Sequence, residues 1–192
     1  MLHAFSTHPA EDIELREPMH KIVYLSLGSN VGDRAANLRA AISDLETLGK
    51  VEAVSSFYET EPVETRPQPW FLNCAVKLDT ERMPKQLLAE FLRIERRHGR
   101  NRSKEQDKGP RTLDLDILLF GNSVMDTPGL TVPHPAMQDR RFVLQPITEI
   151  ASEIHHPILR RTIKELLGAL PPGQAVKKFS MNHAPERESA IP

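Results

Sequence analysis

The sequence predicts one globular domain in which several β-strands are combined with amphipathic helices. Alternating apolar and polar residues indicate strands, as between Trp70 and Asp79, whereas apolar residues at helical spacing indicate helices, as between Asp33 and Leu48. The chain has 192 residues, of which 39% are hydrophobic, so it is long enough for one substantial core and short for two. We therefore expect a single domain that mixes strands and helices.

The composition restricts the class of protein. A formal net charge of −1 gives no global electrostatic reason to bind nucleic acid or an anionic membrane, so we expect neither as a partner. The single cysteine, Cys74, excludes an intramolecular disulfide and is more typical of a core residue than of a nucleophile. No apolar stretch approaches the roughly 20 residues that span a bilayer, and residues 1–20 do not resemble a signal peptide. We predict a cytoplasmic monomer.

Four elements precede a proline-rich loop. They are an extension over residues 1–20, a strand over 21–27, a helix from Asp33 to Leu48 and a strand over 51–58. The turn Gly28-Ser29-Asn30 ends the first strand, and Asp33 is the expected N-cap of the helix. The loop over 60–69 contains three prolines, cannot continue a sheet and is long enough to form the wall or lid of a site.

The next strand, Trp70 to Asp79, carries a possible binding pair. Its predicted core face consists of Leu72, Cys74, Val76 and Leu78. Phe71 and Asn73 therefore point away from that core together. An aromatic ring beside an amide can stack on a flat heterocycle and bind its edge. A half-exposed strand with incidental polar residues explains the pair equally well.

A helix that begins at Pro84 and is stopped by Gly99 leads into a basic segment. From Arg93 to Arg111 there are eight Lys or Arg residues and three acidic residues. Such a run is often only a solvated face. Placed beside carboxylates that can hold Mg²⁺, however, these cations are what a triphosphate substrate needs. The segment 100–108 lacks large apolar residues, so we expect it to be mobile without such a substrate and to close over its phosphates.

Two aspartates interrupt an apolar run over residues 112–120, which is predicted to be a strand. Because strand side chains alternate, Asp114 and Asp116 lie on one face. That face also holds Thr112 and Leu118, and the opposite face, predicted as core, holds Leu113, Leu115, Ile117 and Leu119. Like charges this close need a cation or a proton, and one or two Mg²⁺ ions fit such carboxylates. The alternative is a polar face that meets solvent.

The C-terminal part is predicted to hold short elements and a tail. These are a return strand over 123–125, a stiff loop over 130–135, a helix capped by Asp139 and broken by Pro146, a helix over 162–170, and a flexible tail over 171–192. Residues 176–179 could add a short strand at a sheet edge. The loop holds His134, and a lone histidine is more often structural than catalytic.

Five motifs in collinear order resemble one enzyme family. They are Gly28-Ser29-Asn30, S-S-F-Y-E-T-E-P at 55–62, F-L-N-C-A-V at 71–76, G-P-R-T-L-D-L-D-I-L-L-F at 109–120 and V-P-H-P-A-M at 132–137. Together, over about residues 21–170, they resemble 6-hydroxymethyl-7,8-dihydropterin pyrophosphokinase of folate biosynthesis. The resemblance implies the α+β class, as a ferredoxin-like α/β sandwich with a mainly antiparallel sheet. It also implies a transferase that moves pyrophosphate from ATP to the hydroxymethyl group of the pterin, with two Mg²⁺ ions and release of AMP.

The resemblance also assigns roles to individual residues. It implies that Asp114 and Asp116 are the metal ligands and that Arg100 and Arg111 act on the phosphates as catalytic residues. The implied pterin pocket consists of Gly28, Thr60, Val63, Phe71, Asn73 and Phe142. Positions on the ATP side are Glu95, Arg102, Thr131, His134 and Arg140. Where some family members carry aromatic residues, this chain has Lys108 and Pro135.

Two other functions remain open on the residues. A D-x-D glycosyltransferase or a metal-dependent phosphohydrolase would explain the carboxylates and the cations, but neither explains the Phe71 and Asn73 pair. A non-catalytic ferredoxin-like binding module would show no Mg²⁺-dependent turnover of ATP. Formation of AMP that depends on the pterin separates all three functions.

Overall fold

The structure is a computed structural model that describes residues 20–63, 67–100 and 109–180. Its strands are β1 Lys21–Ser29, β2 Lys50–Val54, β3 Tyr58–Thr60, β4 Phe71–Thr80, β5 Asp114–Phe120, β6 Met125–Thr127, β7 Leu130–Val132 and β8 Val176–Lys178. Its helices are α1 Arg34–Leu45, α2 Pro84–Arg97, α3 Arg141–Ala151 and α4 Ile163–Ala169, with a 3₁₀ turn at Met137–Asp139. The expectations for residues 1–19, for Arg102 and for closure of the segment 101–108 lie outside the described residues.

The main sheet has the order β5-β1-β4-β3-β8, and β2 pairs beside β3 on the same partner, β4. Every pairing in this sheet is antiparallel. The strands β6 and β7 form a separate hairpin. The predicted mainly antiparallel sheet with packed helices is therefore confirmed. Within the described ranges, no helix is long and apolar enough to cross a membrane.

Each face of the sheet is covered by one pair of helices. On one face, α1 and α2 contribute Leu38, Leu45, Leu87 and Phe91 to a core that contains the predicted set Leu72, Cys74, Val76 and Leu78. On the other face, α3 and α4 pack Val143, Leu144, Ile147 and Ile163 against Ala75, Leu118 and Leu119. The sheet is therefore buried on both sides.

The predicted helix starts are largely confirmed. The Asp33 side chain accepts a hydrogen bond from the Ala36 amide, which makes Asp33 the N-cap of α1. Thr162 and Glu165 form a reciprocal capping box at the start of α4. The predicted role of Asp139 is wrong, because it lies in the 3₁₀ turn and the N-cap of α3 is Arg140.

Two strand predictions are wrong in their extent. The predicted strand over 51–58 is two strands, β2 and β3, and Ser55 lies between them with its hydroxyl oxygen accepting the Ala75 amide. The strand with the aspartates begins at Asp114, not at residue 112. Its register against β1 shifts after Ile117, so Leu118 and Leu119 both face the second core. A bulge of this kind adds one residue and reverses the alternation beyond it.

Three C-terminal predictions also change. Residues 123–125 do not form a return strand, since Met125 begins β6 of the separate hairpin. Pro146 does not break α3, because burial of Leu144 and Ile147 on either side outweighs the missing amide hydrogen bond. The tail is not free throughout: β8 pairs with β3 as the edge strand that residues 176–179 were expected to allow.

Candidate active site

The carboxylate pair lies on β5 beside β1, the strand that ends in the glycine turn. In the antiparallel register of β1 and β5, Asp114 is opposite Gly28 and Asp116 is opposite Ser26. The two carboxylates therefore share a face with two small residues, and these leave space above the sheet. These four residues form the floor of a cavity of about 290 Å³.

The cavity brings most of the predicted site residues together. The predicted residues in its lining are Gly28, Thr60, Val63, Phe71, Asn73, Arg100, Arg111, Asp114, Asp116, His134, Arg140 and Phe142. Its remaining lining residues are Ser26, Glu61, Pro62 and Gln174. One end is therefore aromatic and amide-lined, and the other end holds the arginines and carboxylates.

At the aromatic end, Asn73 is held in one orientation. Its Nδ2 donates to Thr60 Oγ1 over 2.6 Å, and its side chain is buried. A Cβ atom at position 28 would stand 2.6 Å from Asn73 Oδ1, a distance that real Cβ atoms essentially never show. Gly28 therefore leaves the amide oxygen accessible from the cavity, and the predicted juxtaposition of Phe71 and Asn73 is confirmed.

Arg100 is already anchored, although it was expected to arrive only when a loop closes. Its guanidinium pairs with Glu95 and with Asp114, and its side chain is 9% exposed. Glu95 is buried beneath it, and its Oε1 also accepts the Leu115 amide over 3.1 Å. Glu95 thus lies behind the cavity wall, where it holds Arg100.

Arg111 joins the two ends of the cavity. Its guanidinium carbon lies 5.2 Å from the centre of the Phe71 ring, and its Nη1 lies 3.5 Å from Asp114 Oδ2. Its backbone is fixed by two hydrogen bonds with Asn30. The Arg111 backbone amide donates to Asn30 Oδ1 over 2.7 Å, and the Asn30 backbone amide donates to the Arg111 carbonyl. Among the described atoms, the buried Arg111 Nε has no hydrogen-bond partner. A donor is therefore available here for an incoming acceptor.

The carboxylate pair fits a cation. Burial first, and then the charge of Asp114, raise the pKa of Asp116 to about 7, so its charged form is disfavoured without a positive partner. Across the described ranges, no cluster of three or more His, Cys, Asp or Glu side chains could hold a metal ion. Mg²⁺ held here would therefore complete its ligands with substrate oxygens and water, which suits this ion.

His134 presents one nitrogen to the cavity. Its Nδ1 accepts the Ala136 amide over 3.2 Å, so the neutral ring carries its proton on Nε2. Burial and the nearby positive charge of Arg140 lower the pKa of His134, which favours this neutral form. The ring of His134 can thus donate from Nε2.

The guanidinium carbon of Arg140 lies 5.7 Å from the centre of the Phe142 ring, so each aromatic residue in the lining has an arginine on its face.

Some predicted residues lie elsewhere, and some lining residues were missed. Thr131 is not in the lining; its hydroxyl donates to Asp126 within the β6-β7 hairpin. Arg102 lies outside the described residues. No local pattern indicated Gln174, whereas Asn30, which holds the Arg111 backbone, is part of the glycine-turn motif. Burial raises the pKa of Cys74 to about 12, which agrees with a core role.

Comparison with known proteins identifies the family. The family model described as 7,8-dihydro-6-hydroxymethylpterin-pyrophosphokinase matches residues 24–152. The chain belongs to this family. The resemblance drawn from the five motifs is thereby confirmed, and the chain is a transferase of the pyrophosphokinase type.

Two bacterial relatives carry the name 2-amino-4-hydroxy-6-hydroxymethyldihydropteridine pyrophosphokinase. The relative from Bacillus subtilis is 46% identical over 138 residues, which cover 71% of this chain and 81% of the relative. The relative from Aquifex aeolicus is 42% identical over 144 residues, which cover 74% and 88%. Folic acid synthesis protein fol1 of Schizosaccharomyces pombe is 38% identical over 175 residues, but this chain spans only 24% of its length.

The fold is also that of solved structures. A crystal structure of Plasmodium falciparum HPPK-DHPS matches 80% of this chain and 46% of its own with a TM-score of 0.63. The sequence identity is 16%, so this likeness concerns the fold alone. The predicted ferredoxin-like α/β fold is confirmed by this neighbour. The present chain thus matches less than half of that longer protein.

Proposed function

We propose that this chain transfers the pyrophosphoryl group of ATP to the hydroxymethyl group of 6-hydroxymethyl-7,8-dihydropterin in folate biosynthesis, with Mg²⁺ bound at Asp114 and Asp116. The substrate hydroxyl oxygen forms a bond to the β-phosphorus of ATP. The bond from that phosphorus to the oxygen shared with the α-phosphate breaks, AMP leaves, and the hydroxyl proton is released. The observation that carries the proposal is one cavity that contains both the Asn73 amide and the carboxylate pair.

The aromatic end of the cavity suits a flat, polar heterocycle. Phe71 and Phe142 provide ring faces, while Asn73 Oδ1 accepts from a ring N–H or amino group. The hydrogen bond from Asn73 Nδ2 to Thr60 fixes the orientation of the amide, which leaves Oδ1 as an acceptor for the ligand edge. Because Asn73 is buried, a ligand without a matching donor would leave a polar atom unpaired at a cost of about 1–3 kcal/mol. The pterin edge supplies that donor.

The charged end suits the phosphates of ATP. Asp114 and Asp116 would hold two Mg²⁺ ions, and these ions supply neutralisation of the charge that develops on the transferring group. Arg111 offers its unpartnered Nε, and His134 offers Nε2. Arg140 adds a further positive charge in the same lining. No side-chain nucleophile is needed, since positioning and charge stabilisation carry this type of reaction.

Arg100 pairs with the Asp114 carboxylate, the same group that is proposed to hold Mg²⁺. Binding of a cation at Asp114 therefore competes with the guanidinium of Arg100. Glu95 remains as its second partner and keeps Arg100 at the edge of the cavity. Once released from Asp114, the guanidinium can contact the phosphates. Arg100 then acts as a cation that moves from a carboxylate to the substrate.

The test is an assay of AMP release from ATP and Mg²⁺, with and without 6-hydroxymethyl-7,8-dihydropterin. AMP is expected only when the pterin is present. The matched control is 6-methyl-7,8-dihydropterin, which keeps the ring but lacks the attacking hydroxyl. Release of AMP or phosphate without a pterin would indicate a phosphohydrolase, and no ATP turnover at all would indicate a binding module. Either result contradicts the proposal.

A further inference from the structure

Gln174 connects two walls of the cavity although it lies in the predicted tail, beyond the residues that match the family model. Its Oε1 accepts the Phe142 amide over 3.3 Å, and its Nε2 donates to the Glu61 carbonyl over 2.7 Å. Phe142 begins the second wall of the aromatic end, and Glu61 begins the proline-rich loop. One half-buried side chain thus joins two segments that are remote in sequence.

The contact with Phe142 compensates for a missing helix cap. Arg140, the N-cap residue of α3, makes no side-chain capping hydrogen bond. Amides in the first turn of a helix have no partner inside the helix, so they need an external acceptor. Gln174 Oε1 provides that acceptor for Phe142. The direction in which the helix presents the Phe142 ring therefore depends on the C-terminal segment.

The contact with Glu61 is reinforced by the neighbouring backbone. The Glu61 amide donates to the Ala175 carbonyl over 3.0 Å, and the Ala175 amide donates to Glu61 Oε2 over 3.4 Å. These bonds extend the pairing of β8 with β3 by one step past Thr60. The start of the lining loop is therefore anchored to the C-terminal segment through both backbone and side chain.

We propose that Gln174 is a positioning residue for the pterin, which it serves by fixing the Phe142 ring and the Glu61 wall on either side of the heterocycle. This inference rests on the proposed function, because it takes the aromatic end of the cavity to be the pterin site. Gln174 acts on the pterin end only, since its two partners are the Phe142 amide and the Glu61 carbonyl. ATP binding should be independent of it.

The test compares Gln174→Met with Gln174→Glu by calorimetry of pterin and of ATP, together with KM and kcat. The Met variant keeps the length of the side chain and loses both hydrogen bonds, so pterin affinity should fall about 5- to 30-fold. The Glu variant keeps an acceptor for the Phe142 amide at a helix N-terminus, where a carboxylate is favoured, so its loss should be smaller. The ATP dissociation constant and kcat should stay within about twofold of the wild type in both variants. A twofold change corresponds to less free energy than one hydrogen bond contributes.

The control is Lys178→Met on β8, the edge strand that follows Gln174, because Lys178 contacts Glu149 and does not line the cavity. It should leave pterin affinity unchanged. Unchanged pterin affinity in Gln174→Met overturns the inference, as does equal weakening of pterin and ATP with a lower melting temperature. If the wild-type protein releases AMP but the Gln174 variants match it, only this inference fails. A wild-type protein that binds no pterin overturns both proposals.

Discussion

Asn73 donates a hydrogen bond from Nδ2 to Thr60 Oγ1 across two paired strands. We predict that Asn73→Ala weakens pterin binding by about 1–3 kcal/mol of binding free energy, because the heterocycle edge loses its acceptor. Thr60→Val keeps the shape of the supporting residue and should weaken pterin binding less, since the amide remains but can turn. Titration calorimetry checks both, and equal weakening of ATP binding would instead indicate general misfolding.

Gly28 tests the depth of the same end of the cavity. A Cβ atom in Gly28→Ala would lie 2.6 Å from Asn73 Oδ1 and would have to displace it. We expect pterin affinity to fall about 5- to 150-fold, because an unpaired buried group of this kind costs about 1–3 kcal/mol. ATP affinity should change little. Gly168→Ala on α4, where a Cβ atom would meet nothing within 4 Å, is the matched control; a Gly28→Ala variant that binds pterin normally contradicts the assigned orientation of Asn73.

Asp116→Asn and Asp114→Asn should abolish turnover while the fold is retained. The amide keeps the shape of the carboxylate but removes the charge that holds Mg²⁺. The metal-free Asp116→Asn protein should also have a higher melting temperature at pH 8. The pKa of Asp116 is raised from 3.8 to about 7, so the folded wild type loses stability as pH rises from about 3.8 to 7, and the whole loss is present at pH 8. Full activity at saturating Mg²⁺ would exclude the metal assignment.

Arg100→Ala should lower kcat by about 10²–10³ and change the affinity of either substrate much less, because its contact with the transferring group forms only after release from Asp114. Single-turnover kinetics separate the chemical step from binding. Arg93→Ala is the control, since Arg93 pairs with Glu90 on an exposed face of α2, the helix that precedes Arg100. An effect on KM alone would assign Arg100 to ground-state binding.

Glu149 stabilises the sheet edge at a distance from the chemistry. Burial alone would raise its pKa, but hydrogen bonds from Tyr58, the Ser56 amide and Lys178 lower it to about 2 from an ordinary 4.5. Its contribution to the free energy of unfolding is therefore present above pH 4.5 and is lost as pH falls toward 2. Glu149→Gln should reduce that free energy at pH 7 by about 1–3 kcal/mol.

The same Glu149→Gln variant should flatten the decline in stability between pH 4.5 and 2, as measured by urea unfolding over that range. Glu153→Gln, an exposed residue at the end of the same helix, serves as the control. A Glu149→Gln variant with the same acid slope as the wild type would show that the carboxylate is not what Tyr58 and Lys178 stabilise.

The sequence alone determined the features that depend on local periodicity and local chemistry. Strand alternation placed Asp114 and Asp116 on one side of their strand, and Phe71 with Asn73 on one side of theirs, because a strand presents every second residue to the same side. Capping chemistry located the start of α1 at Asp33. The collinear motifs named the family, because each of them combines turn, strand and site residues at short range.

The tertiary structure alone decided which of these faces meet and what supports them. The amide of Arg111 is bonded to Asn30, and Arg100 is held over Glu95, through contacts that no local pattern encodes. The bulge after Ile117 reversed the alternation of β5, because burial against α3 stabilises Leu118 and Leu119 on the same side of the sheet. Likewise, Gln174 reached the cavity only because β8 pairs with β3. Periodicity reports the direction of a side chain, whereas its partner depends on how the strands are ordered in the sheet.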